Sequence, residues 1–367
     1  MPAAAQGPAS QHTSTWLRWE RDFPADGLES LLLSLIAMAA AALIFGLFLA
    51  LQGHDALAVY RTLYLGALGT RFSIESTLTQ AAPLLLTALC TLIPARVGLL
   101  VIGGEGAVVL GGLGAALAGI ALGGASELVG TVLTIAAGAL AGGLWIGAAG
   151  ALKHFRGVNE TISTLLLNYI AIALLNHLVS GPIRDFSQTL KAQSWSIPAG
   201  FMIGNIPGLS VHWGLIIGLL VCAALHLLLR HTTLGFAMDV LGGNRRAAQM
   251  IGLPIGRLIL LACFLGGAAA GLAGAIEIVA VHGAASESLV VGLGYAGILV
   301  AFLARQNALA VVLVALVLGG ISASGGLLQR RFDIPHAATT VLQGLIFLCV
   351  LASGTFRGRL LRRRGTA

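Results

Sequence analysis

Few side chains in this 367-residue sequence can do chemistry, and those few stand in apolar surroundings. Glu105 lies in the run Gly103-Gly104-Glu105-Gly106, inside a stretch that otherwise reads as a membrane span. A carboxylate at mid-bilayer costs roughly 2.5–3.5 kcal/mol on insertion scales, so it needs a partner or a function. The flanking glycines open backbone amides that can orient the carboxylate or a ligand. Glu105, with Gly104 and Gly106, is therefore a candidate for lining a solute pathway. The competing reading is an acceptor that ties a broken helix to its neighbour. Glu277 sits late in another apolar run, near its outer end, where a structural role is the simpler reading. Asn168 and Asn176 are a little over two turns apart in one span, which places them within about a quarter turn of each other. Of the two, Asn168 is the pathway candidate.

The familiar catalytic patterns are missing. There are only two lysines, in GALKHFRG and QTLKAQSW, and neither belongs to a GxxxxGK[ST] phosphate loop. Gly292-Leu-Gly-Tyr-Ala-Gly297 spells GxGxxG, but it lies in an apolar run without the strand and helix that a dinucleotide site needs. HExxH, GxSxG and the spacings of zinc ligands do not occur, and the nine His are scattered. Cys90, Cys222, Cys263 and Cys349 all lie in apolar runs without CxxC spacing, so they read as small buried hydrophobes. No cofactor and no metal is expected, and enzyme readings are weak. Proton-coupled transport would want several buried acids or a chain of His, so the driving energy is expected to come from a partner.

The elements that must position these residues follow from composition. The chain is 57% hydrophobic and only 10% charged, too little charge to cover the surface of a soluble globule of this length. Fibrous and disordered classes do not tolerate so many aliphatic residues. The expected fold is all-α, a polytopic membrane helix bundle. A bilayer core of roughly 30 Å needs about 20 helical residues. Ten runs qualify: 31–52, 76–95, 99–122, 129–152, 160–180, 213–230, 258–282, 286–304, 307–326 and 337–354. The third and eighth are interrupted by Gly103-Gly104-Glu105-Gly106 and Gly292-Leu293-Gly294, and read as broken or re-entrant helices.

The net charge of +7 could suggest nucleic acid, but the basic residues cluster at the ends of apolar runs, where membrane topology places them. With both termini cytoplasmic, fifteen Lys and Arg fall inside and six outside. The chain then divides into a cytoplasmic tail (1–30), a membrane domain (31–354) and a basic cytoplasmic tail (355–367). The polar N-terminal tail does not read as a cleavable signal peptide. Residues 181–212 form a long external loop, expected to fold as a small cap. Residues 231–257 form a long internal loop that has room for a short amphipathic helix. The sequon Asn159-Glu-Thr161 falls inside and is discarded. Five spans per half would make any repeat inverted in topology, and the two glycine-broken spans occupy the same place in their halves. Gly138–Gly142, Gly143–Gly147 and Gly267–Gly271 are GxxxG pairs, read first as close packing within one subunit.

Several segments resemble one family. GLLVIGGEGAVVLGG (98–112) is similar to the NIGxEGQ segment of bacterial ABC-transporter permeases of the simple-sugar and nucleoside type, relatives of the branched-chain amino acid permeases. NETISTLLLNY (159–169) resembles that family's NE…T…LNY segment, and GGNRRAAQMIG (242–252) its cytoplasmic GxNxxAAxxxGI loop. GYAGILVAFL (294–303) with Asn307, then VLQGL (341–345), complete the order, so the resemblance spans about residues 75–352. It departs from the family at Val101 and Ala107, where Asn and Gln flank GxEG, and at Ala308, commonly Pro. These departures bear on substrate more than on membership.

The resemblance implies a pathway subunit of an importer in the bacterial inner membrane. It would pair with an identical or homologous permease, with ATP-binding cassette subunits on its cytoplasmic side and with an extracytoplasmic substrate-binding protein. Glu105, Gly104, Gly106, Asn168, Tyr169 and Asn307 would line the substrate pathway. Gly243, Asn244, Ala247, Ala248 and Gly252 would belong to the coupling loop in the ATPase groove. The residues alone allow this, since Ala247, Ala248 and Ile251 give a small apolar face beside Arg245 and Arg246. A solvated basic connector is the plainer alternative. The resemblance is greatest to the nucleoside-type branch, and a pathway without buried Lys or Arg suits a neutral, hydroxyl-rich solute. Pentoses and hexoses are the near alternative, and a secondary transporter working alone is a different class.

Overall fold

In the computed structural model, residues 27–187, 191–304 and 307–354 are described. They form thirteen α-helices and no strand, in this order: α1 (Gly27–Leu51), α2 (Ala56–Leu68), α3 (Arg71–Arg96), α4 (Gly104–Ala121), α5 (Glu127–Arg156), α6 (Glu160–Ser180), α7 (Gly214–His231), α8 (Thr233–Gly243), α9 (Arg245–Met250), α10 (Ile255–Glu277), α11 (Leu293–Leu303), α12 (Ala308–Phe332) and α13 (Ala337–Gly354). Seven helices among the described residues are long and apolar enough to cross a membrane: α3, α4, α5, α6, α7, α10 with its π-helical extension, and α12. Four apolar segments are shorter: Leu35–Leu51, Ala56–Leu68, Glu287–Leu303 and Ala337–Ser353. Each of the ten apolar runs falls on a helix. The helix α2 was not expected as an element of its own; its N-cap Asp55 accepts from the Leu57 amide at 2.9 Å and from the Ala58 amide at 3.3 Å.

The core is built on α3, α4, α5 and α10, whose buried faces carry mostly Ala, Gly and Leu. Small residues let these helices approach until backbones touch. Gly111 and Gly138 of α4 and α5 meet each other's surroundings, while Gly142 and Gly271 lie backbone to backbone. A Cβ at Gly271 would collide with the Gly138 carbonyl, and one at Gly274 with the Val108 carbonyl. The GxxxG pairs of α5 and α10 are thus spent on packing inside one subunit, which in lipid replaces hydrophobic drive as the cohesive term. α1 and α13 pack at one side around Phe45, Leu49, Leu342 and Ile346, with α2 between them and α12.

Two non-helical segments interrupt this bundle. Residues 97–103 run without helix from the end of α3 to α4. Between α10 and α11, a π-helical turn (Ile278–His282) and a short 3-10 turn (Glu287–Leu289) precede Gly292, whose φ of 83° only glycine adopts freely. This second segment is strapped by the loop 181–212. Ser194 donates to the Ala285 carbonyl, Ile197 to that of Gly283 and Ile203 to that of Val279, each at 2.8 Å. The described residues of this loop, 181–187 and 191–212, therefore lie as a cap over the end of the bundle opposite α8 and α9. His212 closes it, buried, its Nδ1 accepting from the Gly214 amide at 3.1 Å as α7 begins.

Candidate functional site

The two glycine-rich breaks meet. α4 starts at Gly104 and α11 at Leu293, and Glu105 joins the two starts. Its Oε1 accepts from the Gly292 amide at 2.8 Å and its Oε2 from the Gly294 amide at 2.7 Å. The carboxylate is fully buried, and it satisfies amide donors that the first turn of α11 leaves without intrahelical partners. A negative group at a helix N-terminus also meets the positive end of the helix dipole. Both effects offset the cost of holding a carboxylate in the membrane interior. The approach is close enough that glycine is required at 294, where a Cβ would run into the Glu105 backbone, while a Cβ on Gly104 would meet the Gly294 backbone at 3.4 Å, ordinary contact.

Helix α6 holds the first break from its other side. Asn168, fully buried, accepts from the Gly106 amide at 2.8 Å and donates to the Ile102 carbonyl at 3.1 Å and to the Tyr295 hydroxyl at 3.4 Å. It thereby touches both breaks. Thr164 accepts from the Ile102 amide at 3.2 Å, and Thr161 donates to the Leu100 carbonyl at 3.1 Å. From α3, Thr91 donates to the Val101 carbonyl at 3.3 Å. The opened backbone at 100–102 is thus answered by side chains, the condition under which non-helical chain is tolerated at membrane depth.

The structure brings together Gly104, Glu105, Gly106 and Asn168 of the residues singled out from sequence. Tyr169, next to Asn168 but a helical step round α6, is 62% exposed on the outer face of the bundle. Asn307 stands apart as the exposed N-cap of α12, accepting from the Leu309 amide at 3.0 Å. Gly292, Gly294, Tyr295, Thr91, Thr161 and Thr164 complete the arrangement without having been singled out as site residues. A signal for two of them was present: Thr161, Thr164 and Asn168 are spaced by three and four, a polar stripe on one helical face.

The loop at the opposite end from the cap splits into two short helices. Asn244 ends α8 and caps α9, accepting from the Arg246 and Ala247 amides at 2.9 and 3.2 Å. Gly252, at φ 76°, turns the chain into α10. Ala248 is fully buried against the bundle, whereas Met250 and Ile251 are 82% and 61% exposed. The small apolar face expected from Ala247, Ala248 and Ile251 is therefore divided: Ala248 anchors α9, and Met250 and Ile251 point away.

The sequence that builds this junction and loop has counterparts among known proteins. The family described as branched-chain amino acid transport system, permease component, matches residues 73–351. The chain belongs to this family. As such a permease it is a multi-pass protein of the cytoplasmic membrane and a transport subunit of an ABC importer, with ATP hydrolysis carried out by separate ATP-binding subunits and a substrate-binding protein in the system. It is 30% identical over 333 residues to the guanosine ABC transporter permease protein NupP of Bacillus subtilis, covering 90% of this chain and 95% of that one. It is 28% identical over 337 residues to the glucose ABC transporter permease protein TsgB13 of Haloferax volcanii, covering 88% and 87%. The nucleoside ABC transporter permease protein NupB of Lactococcus lactis is 24% identical over 326 residues, covering 86% and 89%. No solved structure gives a significant match.

Proposed function

We propose that this permease forms the pathway for a nucleoside or a related neutral solute, at the junction of the two broken helices. The observation that carries the reading is the meeting of the breaks at Glu105. Two opened backbones, one Asn and one Tyr come together there, and among the described residues the hydrogen bonds at the junction come from backbone amides, Asn168 and Tyr295 rather than from Lys or Arg. Such a site offers hydrogen bonds rather than charge, which suits hydroxyl-rich neutral solutes. Glu105 and Asn168 act as the frame, with both oxygens of Glu105 already engaged. Tyr295, 39% exposed, and the glycine backbone present the polar surface to the solute. Tyr169 and Asn307, expected on the pathway, lie away from this junction, and their reading rests on the sequence resemblance alone. The meeting of two breaks that hold the same place in each half also supports an inverted repeat, with both termini cytoplasmic.

At the loop end, α9 is the docking piece for the ATP-binding subunit. Met250 and Ile251 supply the exposed apolar contact, Arg245 and Arg246 the charge, and Gly243, Asn244 and Gly252 the turn geometry. A second permease, identical or homologous, completes the pathway. The relatives named for guanosine and nucleosides favour nucleosides, and the glucose relative keeps sugars as the second reading. Binding by the cognate extracytoplasmic protein separates the two. Calorimetric titration with guanosine and with glucose is expected to give saturable heat with guanosine; heat with glucose and none with any nucleoside would reverse the assignment.

A further inference from the structure

The loop that meets the ATP-binding subunit and the junction at Glu105 are joined by one continuous, tightly held piece of chain. Helix α8 is fixed against the bundle through buried Met238 and Leu241. Its last turn presses on the end of α3. A Cβ on Gly242 would collide with the Arg96 carbonyl, and Gly98 lies across the Gly242 backbone. Beside this contact, Arg96 Nη1 pairs with Asp239 of α8, at 3.1 Å to Oδ1 and 3.4 Å to Oδ2. Arg96 is followed directly by the non-helical segment 97–103, whose peptide groups at 100–102 are held by Thr161, Thr91, Asn168 and Thr164. That segment leads into Glu105, which grips Gly292 and Gly294 of the second break. Contacts therefore run without a gap from α8 through residues 97–103 to Glu105 and the start of α11.

We propose that Arg96 and Asp239 are positioning residues that set the register between α8 and the 97–103 segment, and so couple movement of the ATPase-contacting loop to the paired breaks. The pair is half-exposed, with side-chain exposures of 32% and 49%, so its role is direction rather than strength. The inference rests on the reading of α9 as the docking piece.

The test uses the assembled transporter with its ATP-binding subunits and binding protein, reconstituted in liposomes. Asp239→Arg places two cations face to face; the ATP-binding subunits are expected to co-purify and hydrolyse ATP, while solute taken up per ATP falls about tenfold, within the range seen for residues along a coupling route. The exchanged pair, Arg96→Asp with Asp239→Arg, is expected to recover most of that ratio, which a role of Asp239 in touching the ATPase itself would not allow. Where Asp239→Arg does not assemble, Asp239→Asn carries the test with a smaller fall in the same ratio. An unchanged ratio in Asp239→Asn or Asp239→Arg, or an exchanged pair no better than the single variant, overturns the inference. Failure of the docking reading shows separately, as an Ile251→Asp variant that still retains its ATP-binding subunits.

Discussion

Replacing Glu105 by Gln keeps the size of the side chain and removes half of its bonding. In the structure both carboxylate oxygens accept from backbone amides, at 2.8 and 2.7 Å, in a fully buried position. Hydrogen bonds to a charged group contribute about 1.5–3 kcal/mol each. A carboxamide accepts through one atom and offers N–H through the other, so one amide of the second break faces a donor instead of an acceptor. The loss of one charge-assisted bond, with a buried donor left without a partner, comes to roughly 2–4 kcal/mol. That weight falls on the junction of α4 and α11, so uptake is expected to drop more steeply than stability of the bundle, which rests on the glycine-lined packing of α4, α5 and α10. The assay pairs thermal unfolding of the purified chain in detergent with ATP-dependent uptake by the reconstituted transporter. The expected result is a Tm lowered by several degrees and uptake nearly abolished. A Glu105→Gln variant with wild-type Tm and wild-type uptake would refute the clamp.

Other substitutions test neighbouring parts of the same picture. Gly294→Ala drives a methyl group into the Glu105 backbone and is expected to prevent recovery of monodisperse protein by size-exclusion chromatography, whereas Gly326→Ala, with open space around its Cα, is expected to be tolerated. Asn168→Ala leaves the Gly106 amide and the Ile102 carbonyl without their partner, at about 1–3 kcal/mol for each buried group, read as a lowered Tm together with reduced uptake. Met250→Asp, at a position 82% exposed, is expected to leave Tm unchanged and to abolish co-purification of the ATP-binding subunit. Burial lowers the pKa of His212 in the cap from its usual 6.5, so its neutral form is the folded one. Its contribution is present above pH 6.5 and is lost as the pH falls through the lowered folded value, so Tm should decline on acidification, and less so in His212→Gln.

The membrane bundle was legible in the sequence because the apolar runs are long and, in eight of ten cases, uninterrupted. The two breaks were visible too, as the glycine-rich interruptions Gly103-Gly104-Glu105-Gly106 and Gly292-Leu293-Gly294 of two such runs. That they meet was only hinted at by their matching places in the two halves. Contact between residues so far apart in the chain is a property of packing, set here by the backbone approach of Gly104 and Gly294. Helix α2 escaped because the Tyr60–Leu68 stretch is too short for a span and carries Arg61. The loop segment 242–252 was recognised as a whole, yet the orientation of Ala248 inward and Ile251 outward depends on how α9 lies on the bundle. Asn307 came onto the pathway through the family resemblance alone, and the structure shows it as the N-cap of α12.

The most direct measurement of the central claim is uptake of radiolabelled guanosine by liposomes holding the permease with its ATP-binding subunits, with the cognate binding protein outside and ATP enclosed. The expected result is accumulation that requires both ATP and the binding protein and that excess glucose does not inhibit. Accumulation by the permease alone under an ion gradient, or uptake of glucose with none of guanosine, would contradict it.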